Sequence, residues 1–391
     1  MVKVKLTLPV DTTFLSETLY EGLLFAVANS NCVTKINAHE VEFDDTFLSN
    51  SFGKLKDYVN VKITLTGNDS INVELFKKLG LPDLSNKTIN QMLEKIYGNA
   101  ESLKAKPEII IFNKINGKNV LYDVNDKKEG LSFQLLKLDR YTGFTSIETS
   151  YSSKQFTSYF SKELVLISLL GIYSSHIHTV YVPTTGGLQP TYYFIFFSPD
   201  ETIRLFSEGD VGLVKKLFLI KDEVKDLFKK ILGYSSLYEI MFLELILSVE
   251  LHKQMEDNNL DKLSLILFRV NPEGQTYKVY EVLPIPLYKE TLFHSKVRDF
   301  FGKNSEAFLE SVSTFLNDKR VHSALSSLNK QKKLPEADQI LKAVQNLYKF
   351  IVLGDSIGFS GFIKSIWDAH EKCKDSKDSS PYLSLIKRFN V

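Results

Sequence analysis

The sequence predicts an α+β protein, with a mixed N-terminal body of antiparallel hairpins and packed helices followed by a C-terminal helical bundle. Three observations carry this. Short runs of alternating apolar and polar residues recur as far as Leu287 and then stop. Helical repeats are interleaved with those runs, and a hairpin signal, Asn116-Gly117, sits among them. From Lys289 to Val391 nearly every segment has helical spacing. With 391 residues the chain exceeds one ordinary core. The pattern divides it into a mixed α+β domain over 1–150, a central helix–hairpin–helix domain with antiparallel strands over 151–287, and a helical bundle over 288–391.

Each element follows in order. Val2, Val4, Leu6 and Leu8 alternate with Lys3, Lys5 and Thr7, which reads as a half-buried strand. Asp11 or Thr12 can cap a helix running from Phe14 to Asn29. Strands are expected near Val33–Ile36, Val41–Phe43 and Tyr58–Thr66, then short helices over Ile71–Leu79 and Thr88–Tyr97. Glu108–Ile115 and Asn119–Asp123 form a hairpin, with Leu131–Leu138 as a third strand. Tyr141–Tyr159, rich in Ser, Thr and Tyr, reads as a connection into a helix over Ser153–Ile172. Ile177–Val182 and Thr191–Phe197 are strands around a seven-residue tip. Helices follow over Val211–Leu232 and Ser235–Met255, then a hairpin of Leu263–Val270 and Thr276–Leu283. The bundle comprises Leu292–Phe301, Ser305–Leu316, Val321–Leu328, Pro335–Leu353 and Phe359–Lys372, with Pro335 in a first turn where its missing N–H is harmless.

Composition narrows the function. Hydrophobic residues make up 43%, enough for real cores. Basic and acidic residues number 48 and 47, a balance that excludes a histone-like binder but not local basic patches. Six of the basic residues are arginine (Arg140, Arg204, Arg269, Arg298, Arg320 and Arg388); the rest are lysine, suited to phosphate contact more than to bidentate base reading. A low-GC genome would give the same bias. Cys32 and Cys373 offer neither zinc spacing nor a disulfide framework, which fits a reducing cytoplasm. The opening MVKVKLTLPVDTT is a strand pattern rather than a signal peptide. Leu164–Tyr173 is too short to span a bilayer, and Leu237–Leu251 carries three glutamates, so no membrane partner is expected.

The stretch Thr184-Thr185-Gly186-Gly187-Leu188-Gln189-Pro190 is not a phosphate loop, because a strand follows it and no lysine closes it. Gly186 and Gly187 supply left-handed backbone for a hairpin tip. A plain turn satisfies that geometry. A tip of seven residues also has room for contacts, with Gln189 able to meet a base edge. Three lysine groups can track a phosphate backbone: Lys54 and Lys56 around Leu55, Lys114 and Lys118 around the Asn116-Gly117 turn, and Lys330, Lys332 and Lys333 between two bundle helices with Arg320 upstream. Singly, each is a solvated loop; together they allow nucleic-acid binding at several points. His176-x-His178 places two imidazoles on one strand face without a nearby third ligand, so a core role is favoured over metal. Asp200, Glu223 and Lys225 mimic the order of a metal-dependent nuclease motif, but Glu223 and Lys225 fall on a helix where that motif uses a strand. No catalytic residue, metal or cofactor is assigned.

Two longer stretches carry a resemblance: LYEGLLFAVANSNC (Leu19–Cys32), and VYVPTTGGLQPTYYFIFFSPDE (Val180–Glu201) ahead of the helical C-terminal third. In these, in length and in element order, the chain resembles the large subunit of an archaeal subtype I-A CRISPR Cascade complex. That resemblance implies a non-catalytic subunit beside crRNA-bearing backbone subunits. Such a subunit reads the short PAM on double-stranded DNA, holds the displaced single strand and recruits a helicase–nuclease, while guide pairing supplies sequence. The family has no motif sharp enough to carry residues across by position. The alternatives are a metal-dependent nuclease and a protein-interaction scaffold without nucleic acid.

Overall fold

The computed structural model describes residues 1–391 except 57, 67–68, 82–87, 112, 117–118, 137–156, 185–186, 275, 290–291, 329, 331, 374–379 and 390–391. The alternation at the start of the chain becomes β1 (Val2–Leu6), which joins β2 (Val33–Ile36), β3 (Glu40–Phe43) and β4 (Glu108–Ile111) in the order β2-β3-β1-β4. β3 runs antiparallel to β1 and β4 parallel to it. Period-two spacing sorts the two faces. Val2, Val4, Val41, Phe43, Ile109 and Ile111 are buried, while Lys3 reaches Glu40 and Glu42 at 3.3 and 3.1 Å and Lys5 reaches Glu108 at 2.6 Å.

Between the strands lie helices α1 (Phe14–Asn29), α2 (Phe47–Phe52), α3 (Asp69–Leu79) and α4 (Ile89–Gly98). α1 begins at Thr13, whose hydroxyl accepts the Ser16 N–H at 3.3 Å. Its sequence is apolar on nearly all sides, so it has no solvent face and is buried from Phe14 to Ala28. It packs against α5 (Lys162–Ser175), another helix apolar all round. The crossing is closed by glycines. A Cβ added at Gly22 would collide with the Ile167 carbonyl, and one at Gly171 with that of Thr18.

A second sheet, β11-β10-β9-β8, is built from two long hairpins: β8 (His176–Thr184) with β9 (Gly187–Phe197), and β10 (Lys262–Glu273) with β11 (Thr276–Tyr288). β9 and β10 pair antiparallel from Phe197↔Leu265 to Tyr192↔Val270. Pro284 and Pro286 fall within β11, an edge strand, where a missing N–H costs no ladder bond. A third, small sheet places β6 (Asn119–Tyr122) between β5 (Asn113–Asn116) and β7 (Thr157–Phe160). The remaining helices are α6 (Pro199–Glu208), α7 (Val211–Leu232), α8 (Tyr238–Leu247), α9 (Val249–Asp257), α10 (Leu292–Phe301), α11 (Ser305–Leu316), α12 (Lys319–Ser327), α13 (Ala337–Ile351), α14 (Ser356–Lys372) and α15 (Ser380–Arg388). The fold is α+β, as its patterning predicts.

The chain forms two compact units. The first comprises Met1–Tyr181, Leu188–Lys221 and Leu263–Pro286, and holds the sheets and the α1/α5 pair. The second comprises Val182–Gly187, Asp222–Lys262 and Leu287–Val391. Within the second unit α13 and α14 pack closely, with Gly358 against the Asn346 carbonyl and Phe350 amide. Phe301 stacks on Phe308 at 4.1 Å, and Phe350, Phe359 and Phe389 complete the aromatic core.

Several expected elements differ. Tyr58–Thr66 is not a strand: Tyr58–Asn60 is a 3-10 turn and Thr64 makes one isolated bridge to Thr88. The Thr64 and Thr66 amides donate to the Tyr192 and Tyr277 hydroxyls at 3.3 and 3.1 Å, so side chains satisfy backbone that a ladder would have taken. The expected strand Glu108–Ile115 divides between two sheets as β4 and β5. Leu131 contributes only a bridge to Phe160, and the third strand beside the β5–β6 hairpin is β7, which runs parallel to β6. Of the helix expected over Ser153–Ile172, residues 153–156 lie outside the described residues, Thr157–Phe160 form β7, and the helix begins after the Ser161 cap. The helix expected over Ser235–Met255 is two, because Ser248 leaves helical geometry and caps α9 by accepting the Leu251 N–H.

Candidate nucleic-acid interface

The glycine tip is reached by two strands that run further than their apolar pattern. β8 extends to Thr184 and β9 starts at Gly187, so the expected seven-residue loop is mostly ladder. Tyr181–Thr184 and Gly187–Gln189 are exposed, with Tyr181 at 54% and Leu188 at 67%. Gly187 has φ 115° and open space around its Cα. That conformation is one L side chains rarely adopt. Thr184 Oγ1 donates to the Gly187 carbonyl at 2.9 Å, fixing the end of the arm. Gln189 is exposed on β9, and Gly186 lies outside the described residues.

Lys54 and Lys56 follow α2 and are both exposed, while Leu55 between them is buried at 3%. That plug turns the two ammonium groups outward. The Lys56 amide donates to the Tyr173 hydroxyl at 3.2 Å. Lys118 lies outside the described residues. Lys114 lies exposed on β5, beside a cleft of about 500 Å³ that it lines with Lys106 and Lys162. Sequence spacing did not expose these two partners, since the fold brings them in from before β4 and from the start of α5. Asp123, with φ 58°, organises the cleft. Its carboxylate accepts from Lys106 at 2.7 Å, from Ser161 Oγ at 2.7 Å and from the Ile110 amide at 3.2 Å. Glu129 and Glu163 also line the cleft, so its three lysines face three carboxylates.

In the second unit Arg320 stands in the first turn of α12, and the lysine loop follows the last turn of that helix. Asp318 caps α12, accepting the Arg320 N–H at 2.9 Å, and takes the guanidinium through two bonds of 2.9 and 2.7 Å. The Arg320 hydrogen bonds hold the Asp318 carboxyl below its usual range. Lys333 pairs with Asp338, whose carboxyl is lowered by that bond and by the charges of Lys372 and Lys342. Tyr382 donates to Glu336 at 3.4 Å and also feels Arg320, tying α12, the loop and α15 into one neighbourhood. Lys330 and Lys332 are exposed, and the loop is pinned by the Leu334 amide donating to Ser327 Oγ at 3.1 Å. Lys342 and Lys372 therefore join the expected cations, again through tertiary structure. His322 is stacked on Tyr234 at 3.7 Å, and burial lowers its pKa, so it is a packing group.

The nuclease-like residues lie on helices. Asp200 is exposed in the first turn of α6, and Glu223 and Lys225 are two apart on α7, a spacing that does not put side chains on one face. His176 is buried, with Nε2 3.1 Å from Thr179 Oγ1 and its ring edge-on to Phe194. Among the described residues, no group of three or more His, Cys, Asp or Glu side chains is placed to hold a metal ion. No described helix is long and apolar enough to cross a membrane.

A protein of Archaeoglobus fulgidus, described as uncharacterized, is 38% identical over 401 aligned positions, covering 99% of each chain. The chain belongs to the family of that archaeal protein. The relationship runs through both units rather than through one. No protein-family model matches the chain, and no solved structure does.

Proposed function

We propose that the chain is a non-catalytic nucleic-acid-binding subunit of a CRISPR Cascade complex, of the large-subunit type, contributing PAM recognition, displaced-strand binding and helicase–nuclease recruitment. The observation that carries this reading is the exposed glycine tip of the β8–β9 arm, where Gly187 lets backbone approach a duplex and Gln189 stands ready at a base edge. The Arg320, Lys330, Lys332 and Lys333 neighbourhood supports it as a phosphate-binding surface, with Lys342 and Lys372 adding charge. Lys54, Lys56 and Lys114 supply further contacts from the first unit. Lysine rather than arginine suits a surface that follows backbone without reading sequence.

The test is fluorescence anisotropy with labelled duplex and bubble DNA across a salt series. Binding is expected to weaken with salt, and the triple change of Lys330, Lys332 and Lys333 to Ala should lower the salt slope by about two to three. Replacing Gly186–Gln189 by a two-residue turn should abolish discrimination among duplexes differing in a short motif while leaving non-specific affinity. Absence of DNA binding at low salt, both alone and with co-purified guide RNA and partner subunits, rejects the proposal. Plasmid cleavage with Mg²⁺ or Mn²⁺ that Asp200→Ala abolishes would favour the nuclease instead.

A further inference from the structure

Two buried carboxyl groups lie on α1 in the core of the first unit, and a buried lysine reaches one of them. Glu17 and Glu21 are one turn apart on α1, exposed by only 3% and 2%. Lys221 of α7 is 0% exposed. Its ammonium bonds Glu21 Oε1 and lies 3.2 Å from Ser174 Oγ, which itself donates to Glu21. The rings of Phe197 and Phe218 cover it, with centroids at 4.9 and 4.6 Å. Lys221 is thus fully committed to Glu21. Glu17 Oε1, Thr18 Oγ1 and Glu21 Oε2 are buried without a hydrogen-bond partner.

We propose that the folded protein binds one proton in this core, with Glu17 held as the neutral acid and Glu21 as the carboxylate of Lys221, so that the packing of α1 senses pH. Two ionised carboxylates one turn apart in a dry core, with one ammonium that bonds Glu21 alone, would leave a buried charge uncompensated. Protonating the carboxyl that lacks a cation removes that charge. The charged groups facing Glu17 are Glu21 on its own helix and Asp11 before it; burial first, then these two, push its carboxyl well above the usual range. Because the folded value is raised, the folded state binds more protons than the unfolded one. The contribution is complete below the unfolded value of about 4.3 and is lost as pH climbs to the folded value.

Two measurements test this on the full chain. Guanidinium unfolding in weak buffer near neutral pH should release roughly one more proton from the wild type than from Glu17→Gln. The Tm of the wild type should fall as pH is raised from about 6 to about 9, while that of Glu17→Gln should change less. Equal proton release, or parallel Tm profiles, overturns the proposal. If Glu17→Gln does not fold, infrared spectra of the wild type decide. A carboxylic-acid carbonyl band that resists exchange at neutral pH and vanishes at alkaline pH upholds it, and absence of that band at neutral pH overturns it.

Discussion

Gly22 and Gly171 set the tightest contact of the first unit, and the reason is distance rather than backbone freedom. Both lie within helices, where any residue is conformationally allowed, but each faces the other helix's carbonyls. Gly22→Ala should therefore force α1 and α5 apart and destabilise the fold by about 3 kcal/mol, read as a shift of the denaturation midpoint. An unchanged midpoint would mean the crossing is slack. At this scale Glu17 and Glu21 were not singled out from the apolar helix that carries them. The sequence cannot show that Lys221, 200 residues on, answers one and not the other. The lysines behave likewise: Lys54, Lys56, Lys114 and Lys330 can be picked out by spacing. Lys106, Lys162, Lys342 and Lys372 become neighbours only through tertiary structure.

Among elements, those with a complete local signature were legible. Phe14–Asn29, Val33–Ile36, Val211–Leu232, Leu292–Phe301 and Ser305–Leu316 fall where periodicity places them. Where a whole strand was misread, a local pattern was overruled by a partner distant in sequence. Tyr58–Thr66 alternates like a strand, yet its backbone is claimed by Tyr192 and Tyr277, the Tyr277 hydroxyl donating to the Thr64 carbonyl and accepting from the Thr66 amide. Tyr277→Phe should cost about 2 kcal/mol, because two hydrogen bonds to part-buried backbone groups are lost together. Urea denaturation checks this, and a loss near zero would show that water replaces the hydroxyl. Burial also pushes this phenol well above its usual pKa, so it stays a donor through the alkaline range. The arm of β8 and β9 was under-read for the opposite reason: its outer residues are exposed and lack the alternation that marks a half-buried strand.

At the scale of the molecule, 48 basic and 47 acidic residues cancel, so any grip on a polyanion comes from arrangement and not from total charge. The helical region after Leu287 reads as self-contained, yet its unit also includes Asp222–Lys262. There α8 packs on α13 and α11, with Phe242 near Tyr348 and Asn317 bonded to Glu244 at 3.5 Å. A fragment of 288–391 is therefore expected to be poorly packed, with a broad, non-cooperative thermal transition by circular dichroism. A sharp transition would show that the bundle needs nothing upstream. The chain crosses between its two units after Tyr181, Gly187, Lys221, Lys262 and Pro286. During synthesis the ribosome must thus deliver nearly three quarters of the polypeptide before the first unit owns its last strand. The greasy run from Tyr192 to Phe197 must wait for β10, the strand just before that last one, which makes a nascent chain of this design a natural client for chaperones.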